Sequence, residues 1–546
     1  AEDAALATVW KLIAGEGDLL PVSAMPPGGS FPTGTAMLEK RGLATELPQW
    51  DESLCIDCGK CTLACPHAAI RMKVYSPEEL DGAPSGFQSK ATMGRDFPAG
   101  TRLTIQVSAD DCTGCSICAT VCPAASKQDP SHKSLDMVPA ASIRDVTRDG
   151  FDFFLTLPEI DRTTVRTDTV KGSQLLQPLF EFSGACNGCG ETPYIKLVTQ
   201  LMGDRMVVAN ATGCSSIFGG NLPTTPWTRN AAGRGPAWNN SLFEDNAEFG
   251  MGIQLGLSER ASQARLLVGD LADDLGLGED LVAGLVATDL NVTDEAGIVA
   301  QRERVAVLKQ ALAGVPRSAR TDLLSTLADA LVPTSVWVMG GDGWAYDIGF
   351  GGLDHLFATG QDINVLVLDT EVYSNTGGQA SKATPMGATA KFAAAGKSAR
   401  KKDLGLLAKA YGNVYVAQIA INANEIQAVR AIKEAAAYPG PSLVIAYSTC
   451  IAHGLDLADA PAHQKAAVTS GHWPLYRYHP APSGQASPLF KLDSKAPTLP
   501  LADFYSQETR YKAVGKADPE RAEQLLAQAQ ADAEERFATY QRLSER

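Results

Sequence analysis

Residues 335–357 read SVWVMGGDGWAYDIGFGGLDHLF: a short apolar run, a Gly-Asp-Gly turn, then a helix-favouring stretch. An apolar run of that length, bounded by glycine, reads as a strand buried on both faces of a parallel sheet. Asp342 then stands at the carboxyl end of the strand, where open α/β sheets bind ligands. The helix start behind it can offer N–H groups to an anion. A lone Gly-Asp-Gly is common, and its weight comes from INVLVLDTEVYSNTGGQ (363–379), a second strand ending in oxygen donors. Asp342, the Thr370 hydroxyl and a backbone carbonyl near Val372 suit one Mg²⁺ beside a diphosphate, because hard cations take a carboxylate, neutral oxygens and phosphate.

Working outward, GNVYVAQIA (412–420) and SLVIAYST (442–449) repeat the buried-strand texture. Between the strands lie helical stretches, LGLLAKAYG (404–412) and ANEIQAVRAIKEAAAY (423–438), the second with Asn424 as N-cap and Pro439–Gly440 as its stop. The fold expected is an α/β domain with a mostly parallel sheet over 181–480, carrying a Leu/Ala-rich helical insertion at 258–332. Residues 51–150 read as a small α+β ferredoxin-like domain holding two cysteine runs. Residues 1–50, rich in Pro and Gly, read as a connector or the tail of a preceding domain. Residues 151–180 read as a linker, and 481–546 as a tail ending in a charged surface or subunit-contact helix. At 546 residues, several domains are the natural expectation.

Composition excludes some classes. With 45% apolar and 20% charged residues the chain is of globular type. A net charge of −15 argues against non-specific nucleic-acid binding. No apolar run reaches the roughly eighteen residues of a membrane span, and the start lacks the features of a signal peptide. The expected location is therefore the cytoplasm. There, twelve cysteines speak for metal ligation or catalysis rather than disulfides.

The cysteines fall into groups. Glu52–Ile70, ESLCIDCGKCTLACPHAAI, and Asp110–Ala124, DDCTGCSICATVCPA, share the pattern Cys-x-x-Cys-x-x-Cys-x-x-x-Cys-Pro. Three closely spaced thiolates wrap one face of an iron–sulfur cube, and the fourth, before proline, is expected to start a helix crossing to the other cluster. The expected ligand sets are Cys55, Cys58, Cys61 with Cys122, and Cys112, Cys115, Cys118 with Cys65. Zinc is the competing reading, although it usually takes two separated Cys-x-x-Cys pairs. Four cysteines remain: Cys186 and Cys189 in SGACNGCGET, Cys214 in ATGCSS and Cys450 in YSTCIAH. They match a third cube in number, with zinc or inert buried thiols as alternatives. His67 and His453 read as packing groups beside clusters that already have four thiolates. FEDNAEFG (243–250) and the lysine-rich GKSARKKD (396–403) read as solvated segments, the latter able to steer an acidic carrier.

The Gly-Asp-Gly element resembles the thiamine diphosphate motif, with Asp369–Thr370, 28 residues after Asp342, where the motif has an Asn pair. Taken with the cysteine runs, CNGCGETPY (186–194), ATGCSS, GRGPAWNNSLFEDNAEFG (233–250) and DTEVYSNTGGQ (369–379), the chain resembles the C-terminal half of the pyruvate:ferredoxin (flavodoxin) oxidoreductase family. The resemblance implies three 4Fe-4S clusters, thiamine diphosphate and Mg²⁺, with Cys186, Cys189, Cys214 and Cys450 ligating the cluster nearest thiamine. It places Glu191, Cys214, Gly341, Asp342, Gly343, Trp344, Thr370, Glu371, Val372, Tyr373, Ser374 and Asn375 around the cofactor, with Asn375 on the substrate side as the catalytic residue. It implies oxidative decarboxylation of pyruvate with coenzyme A, electrons leaving to ferredoxin or flavodoxin, and a homodimer of the whole enzyme. An N-terminal portion, as a separate chain or segment, would carry the activating glutamate and grip pyruvate and coenzyme A. Another 2-oxo acid as substrate, or an electron-transfer half inactive without its partner, are the rival readings.

Overall fold

A computed structural model describes residues 2–29, 31–220, 223–481 and 489–545. Five strands build the cysteine-rich region: β1 (Glu46–Trp50), β2 (Ile70–Tyr75), β3 (Lys90–Ala91), β4 (Arg102–Val107) and β5 (Leu135–Pro139). β1 pairs antiparallel with β5, and β2, β4 and β3 form a second small sheet. The helix Ala140–Thr156 closes their core with Phe151 and Phe154.

Eight strands form the large sheet: β6 (Met206–Asn210), β7 (Ala237–Asn240), β8 (Ser335–Gly341), β9 (Asn364–Asp369), β10 (Tyr415–Ile419), β11 (Ser442–Tyr447), β12 (Tyr476–His479) and β13 (Leu489–Leu492). Their spatial order is 13-12-10-11-9-8-6-7, parallel from β10 to β7, with β12 and β13 joined antiparallel at one edge. The continuous apolar runs have a direct cause. Val336, Val338, Val365 and Val367 enter one layer of core, whereas Trp337, Met339, Leu366 and Leu368 enter the other. Successive side chains point to opposite faces, and both faces are covered. The helix Glu425–Ala437 packs Ala428, Val429, Ile432 and Ala435 into the second layer and begins as expected, with the Asn424 side chain accepting from the Gln427 amide at 3.1 Å.

Between β7 and β8, the helices Asn246–Leu271, Glu279–Val286, Glu295–Ala313 and Ala319–Leu327 surround a core of their own that includes Leu285, Val305, Leu308 and Leu324. Glu295 ties them to the sheet domain, at 2.8 Å from both Arg162 and Arg205.

Three expectations change. The segment after 480 is no surface tail: β13 extends the sheet, Tyr540 of the last helix, Pro519–Ser544, is buried, and Arg510 reaches the sheet centre. The first fifty residues are more than a connector. They include β1, and Gly34 and Ala36 donate backbone hydrogen bonds to Trp227 and Thr225 at 2.7 and 3.1 Å. Nor does the fourth cysteine of each run start a helix. Helix Lys60–Ala64 ends at Cys65 and helix Ile117–Val121 ends at Cys122, both extended, because Pro66 and Pro123 disfavour helical backbone at the preceding residue.

Candidate functional site

The two cysteine runs interlock. Cys58 and Cys61 lie in the field of Cys55 and of Cys122 from the other run, while Cys112, Cys115 and Cys118 feel Cys65. Burial pushes these thiols upward, Cys112 and Cys115 to about 12. Thiols gathered this closely in a dry setting release their protons as a cation binds to the sulfurs, so the donor chemistry fits a soft metal centre. Among the described residues all twelve cysteines are free of disulfides.

The cysteine module sits against the large sheet. Lys196, buried on helix Thr192–Met202, donates to the carbonyls of Thr62, Leu63 and Cys65, the last two at 3.0 and 2.9 Å. It thereby caps the end of helix Lys60–Ala64 just before a cysteine. Thr113 and Asn187 share a 2.7 Å hydrogen bond, so the second run meets the loop of Cys186 and Cys189. His67 is buried with Nδ1 3.1 Å from the Ser183 carbonyl, and burial lowers it to about 4. That is a neutral packing role.

At the carboxyl ends of β6, β8, β9 and β11, the parallel sheet lines up Cys214, Asp342, Thr370 and Cys450, residues up to 236 positions apart in sequence. A cavity of about 130 Å³ is lined by Cys186, Cys189, Cys214 and Cys450 together with Glu191, Thr370 and Asn375. Cys214 Sγ lies 3.2 Å from Ser374 Oγ. Burial raises Cys214, and raises Cys450 to about 12. Glu191 is buried with Oε2 unpartnered, and burial, then the nearby Asp342 charge, push it to about 8. An orphaned buried carboxyl oxygen beside a cavity is a group awaiting a partner.

The oxygen donors Asp342, Thr370 and Val372 lie together. Thr370 Oγ1 lies 3.0 Å from Asp342 Oδ1 and 3.1 Å from the Val372 carbonyl, and the Thr370 amide donates to the same carboxylate at 3.2 Å. Ser381, which sequence reasoning missed, donates to Asp342 Oδ2 at 3.0 Å. Burial, then Asp369, raise Asp342 to about 8. A buried carboxylate under that pressure, with a hydroxyl and a carbonyl beside it, suits a hard cation. Gly341 closes β8 in register with Leu368. A side chain at Gly343 would lie 2.3 Å from the Tyr373 ring, which is why glycine stands there. Tyr373 also packs on Phe243, centroids 5.9 Å apart, and Asn246 donates to the Met339 carbonyl at 3.0 Å. FEDNAEFG is therefore only partly solvated: Phe243, Asn246 and Ala247 pack inward, while Glu244, Asp245, Glu248 and Phe249 are exposed. The Trp344 indole is wholly buried against Gly340 and Gly349.

Two readings need correction. The Glu371 carboxylate, expected at the cofactor, is fully buried and bound to Lys401, His472 and Arg510. The lysine-rich stretch is not a solvated face. Lys401 reaches Asp369 at 2.8 Å, Lys402 donates to the Tyr346 carbonyl at 3.0 Å, and Lys397 to the Ser381 carbonyl at 2.9 Å. Burial lowers Lys397 and Lys402 to about 8. A carrier-steering role falls with that placement. His453 donates from Nε2 to the Thr370 carbonyl at 2.7 Å, again a neutral buried group.

Three family models match the chain. Residues 54–126 match a 4Fe-4S dicluster domain, 325–446 a thiamine pyrophosphate enzyme C-terminal TPP-binding domain, and 7–44 the EKR domain of unknown function. The chain is 55% identical over 98% of its length to a pyruvate-flavodoxin oxidoreductase of Trichormus variabilis, and 48% identical over 97% to a pyruvate:ferredoxin oxidoreductase of Moorella thermoacetica. It covers 45% of each of these relatives, so it spans about half their length. A solved 2-oxoglutarate:ferredoxin oxidoreductase of Magnetococcus marinus aligns at 17% identity over 59% of this chain and 86% of that one, with a TM-score of 0.31, too low to argue from. Among the described residues, no helix is long and apolar enough to cross a membrane.

Proposed function

Because the chain is related along nearly its whole length to part of the pyruvate:ferredoxin (flavodoxin) oxidoreductases, we propose that it supplies the cofactor- and cluster-bearing part of such an enzyme, one that oxidatively decarboxylates pyruvate with coenzyme A and passes the electrons to flavodoxin or ferredoxin. One observation carries the reading. The carboxyl edge of the sheet that carries Asp342 and Thr370 also carries Cys214 and Cys450, and Thr370, which donates to Asp342, lines the same cavity as the four cysteines.

When bound, thiamine diphosphate supplies a carbanion for attack on the keto carbon of a 2-oxo acid, and 4Fe-4S clusters take electrons singly. The chain's own residues do the rest. Asp342, the Thr370 hydroxyl and the Val372 carbonyl hold Mg²⁺ and so orient the diphosphate. Asn375 is exposed and lines the cavity, and in this reading it would stand on the substrate side. Burial favours the uncharged form of Glu191 beside the cavity, and an uncharged carboxyl can donate a hydrogen bond. Cys186, Cys189, Cys214 and Cys450 hold a cluster, and the two interlocked sets hold two more, making three. The Thr113–Asn187 contact keeps the module of Cys112 adjacent to the cavity. The remaining length of the relatives is where the activating glutamate and the grips for pyruvate and coenzyme A belong, and a homodimer of the whole enzyme in the cytoplasm goes with this reading.

The test is anaerobic viologen reduction by the cluster-loaded chain given thiamine diphosphate and Mg²⁺, alone and with the complementary portion of a relative, across a panel of 2-oxo acids. Reduction dependent on pyruvate and coenzyme A is expected. Preference for 2-oxoglutarate or a branched oxo acid, or no reduction even with the complementary portion, would overturn the proposal.

A further inference from the structure

We propose that Glu371 is a positioning residue, held by a clamp of the Lys401 and Arg510 cations and the His472 ring so that the Thr370–Val372 turn presents its oxygens to Asp342. The inference rests on the reading of that turn as the metal–diphosphate site.

The turn has an unusual backbone. Glu371 has φ +61°, a region that side-chain-bearing residues rarely adopt. Reversal there brings the Thr370 hydroxyl within 3.1 Å of the Val372 carbonyl and 3.0 Å of Asp342. The backbone groups around it are tied down. The Thr370 carbonyl accepts from His453 at 2.7 Å, the Glu371 amide donates to Asp369 at 3.0 Å, and the Glu371 carbonyl accepts from Thr384 at 2.8 Å.

Those bonds alone would be served by glycine, which takes positive φ freely. Glutamate is present instead, and its carboxylate is fully buried. His472 Nε2 lies 3.0 Å away, Lys401 Nζ 3.4 Å and Arg510 Nη2 2.6 Å. A buried carboxylate is tolerated only with such partners. None of the three is among the oxygen donors at Asp342. They act through Glu371, as groups behind a metal's ligands orient those ligands.

The clamp also reaches the other side of Asp342. The Arg510 carbonyl accepts from the Thr389 amide and hydroxyl at 3.0 and 2.9 Å. This anchors the loop that also provides Ser381 to Asp342. A segment 139 residues downstream of Glu371 thus braces both walls of the site.

The experiment measures thiamine diphosphate binding to the full chain by calorimetry as Mg²⁺ is varied, with melting temperature, iron content and cluster EPR recorded for each variant. E371Q, E371G and R510Q are expected to need at least about tenfold more Mg²⁺ for half-maximal binding, with cluster spectra and iron unchanged. R510K, which keeps a cation, is expected to recover part of the loss. If R510Q fails to fold, E371Q and E371G decide, the latter keeping the positive φ while removing the whole side chain with its carboxylate. A Mg²⁺ requirement within about twofold of the parent chain in folded E371Q and E371G overturns the inference while leaving the site standing. Absence of Mg²⁺-dependent binding in the parent chain overturns the reading of the site, and the inference with it.

Discussion

The cysteine module and the strand-end site use opposite means to gather ligands. In the module, each loop presents three thiols within seven residues of chain, and only the fourth crosses over. At the strand ends, Glu191, Cys214, Asp342, Thr370, Cys450 and finally Arg510 come from six separate stretches, and the parallel sheet brings them together. A site written in one loop survives as a readable spacing. A site written across a sheet is readable only where a strand end carries an unusual residue.

The sharpest way to break the comparison is to remove thiols across the runs. C58S and C122S, apart in sequence, are expected each to lose the same cluster, about four iron atoms per chain, and the double variant no more than either. Iron analysis with EPR checks this; additive losses would mean that each run binds its metal separately. For the strand-end site, D342N is expected to weaken Mg²⁺-dependent thiamine diphosphate binding by about 100-fold, with the iron content of the module untouched. A loss of iron alongside would show the two regions to be one folding unit.

The junction between them offers a smaller effect. K196M strands three buried carbonyls at the end of helix Lys60–Ala64 and is expected to cost about 2–3 kcal/mol, read from denaturant midpoints. K60M, which breaks only the partly exposed 2.8 Å pair with Glu425, is expected to cost less than about 1 kcal/mol. Equal costs would remove Lys196 as the principal tie.

An effect that depends on pH belongs to the sheet edge. Burial would raise Glu434, but His479 and Arg477, the latter at 2.5 Å, hold it near 2, against 4.5 when unfolded. A depressed carboxyl stabilises the fold above its unfolded value, and that contribution is lost as pH falls from about 4.5 towards 2. E434Q is expected to cost about 1–2 kcal/mol at pH 7, after allowance for partial exposure, and almost nothing near pH 2. A cost that does not change with pH would assign it to packing.

Much of this was legible beforehand. The strands β8, β9, β10 and β11 follow from apolar runs, because a sheet covered on both faces needs no alternation. The convergence of Asp342, Thr370 and Val372 followed from donor chemistry at strand ends. The basic cluster Arg400–Lys402 misled, since charge reads as solvent exposure until a buried carboxylate such as Asp369 is known to lie opposite. Glu371 misled for the same reason: adjacency in sequence to Thr370 says nothing of which side its carboxylate takes at positive φ.

The sequence by itself determined the chemistry of the ligands: soft thiols at cube-forming spacing, and hard oxygens after a buried strand. Those depend on residue type and short spacing, which the linear chain carries in full. Only the tertiary structure decided that Arg510, His472 and Lys401 stand behind the oxygen site, that Lys196 caps a cysteine-bearing helix, and that the C-terminal segment completes the sheet. Several of these contacts join residues more than a hundred positions apart. Burial, which no single residue encodes, turns their charges from surface features into struts.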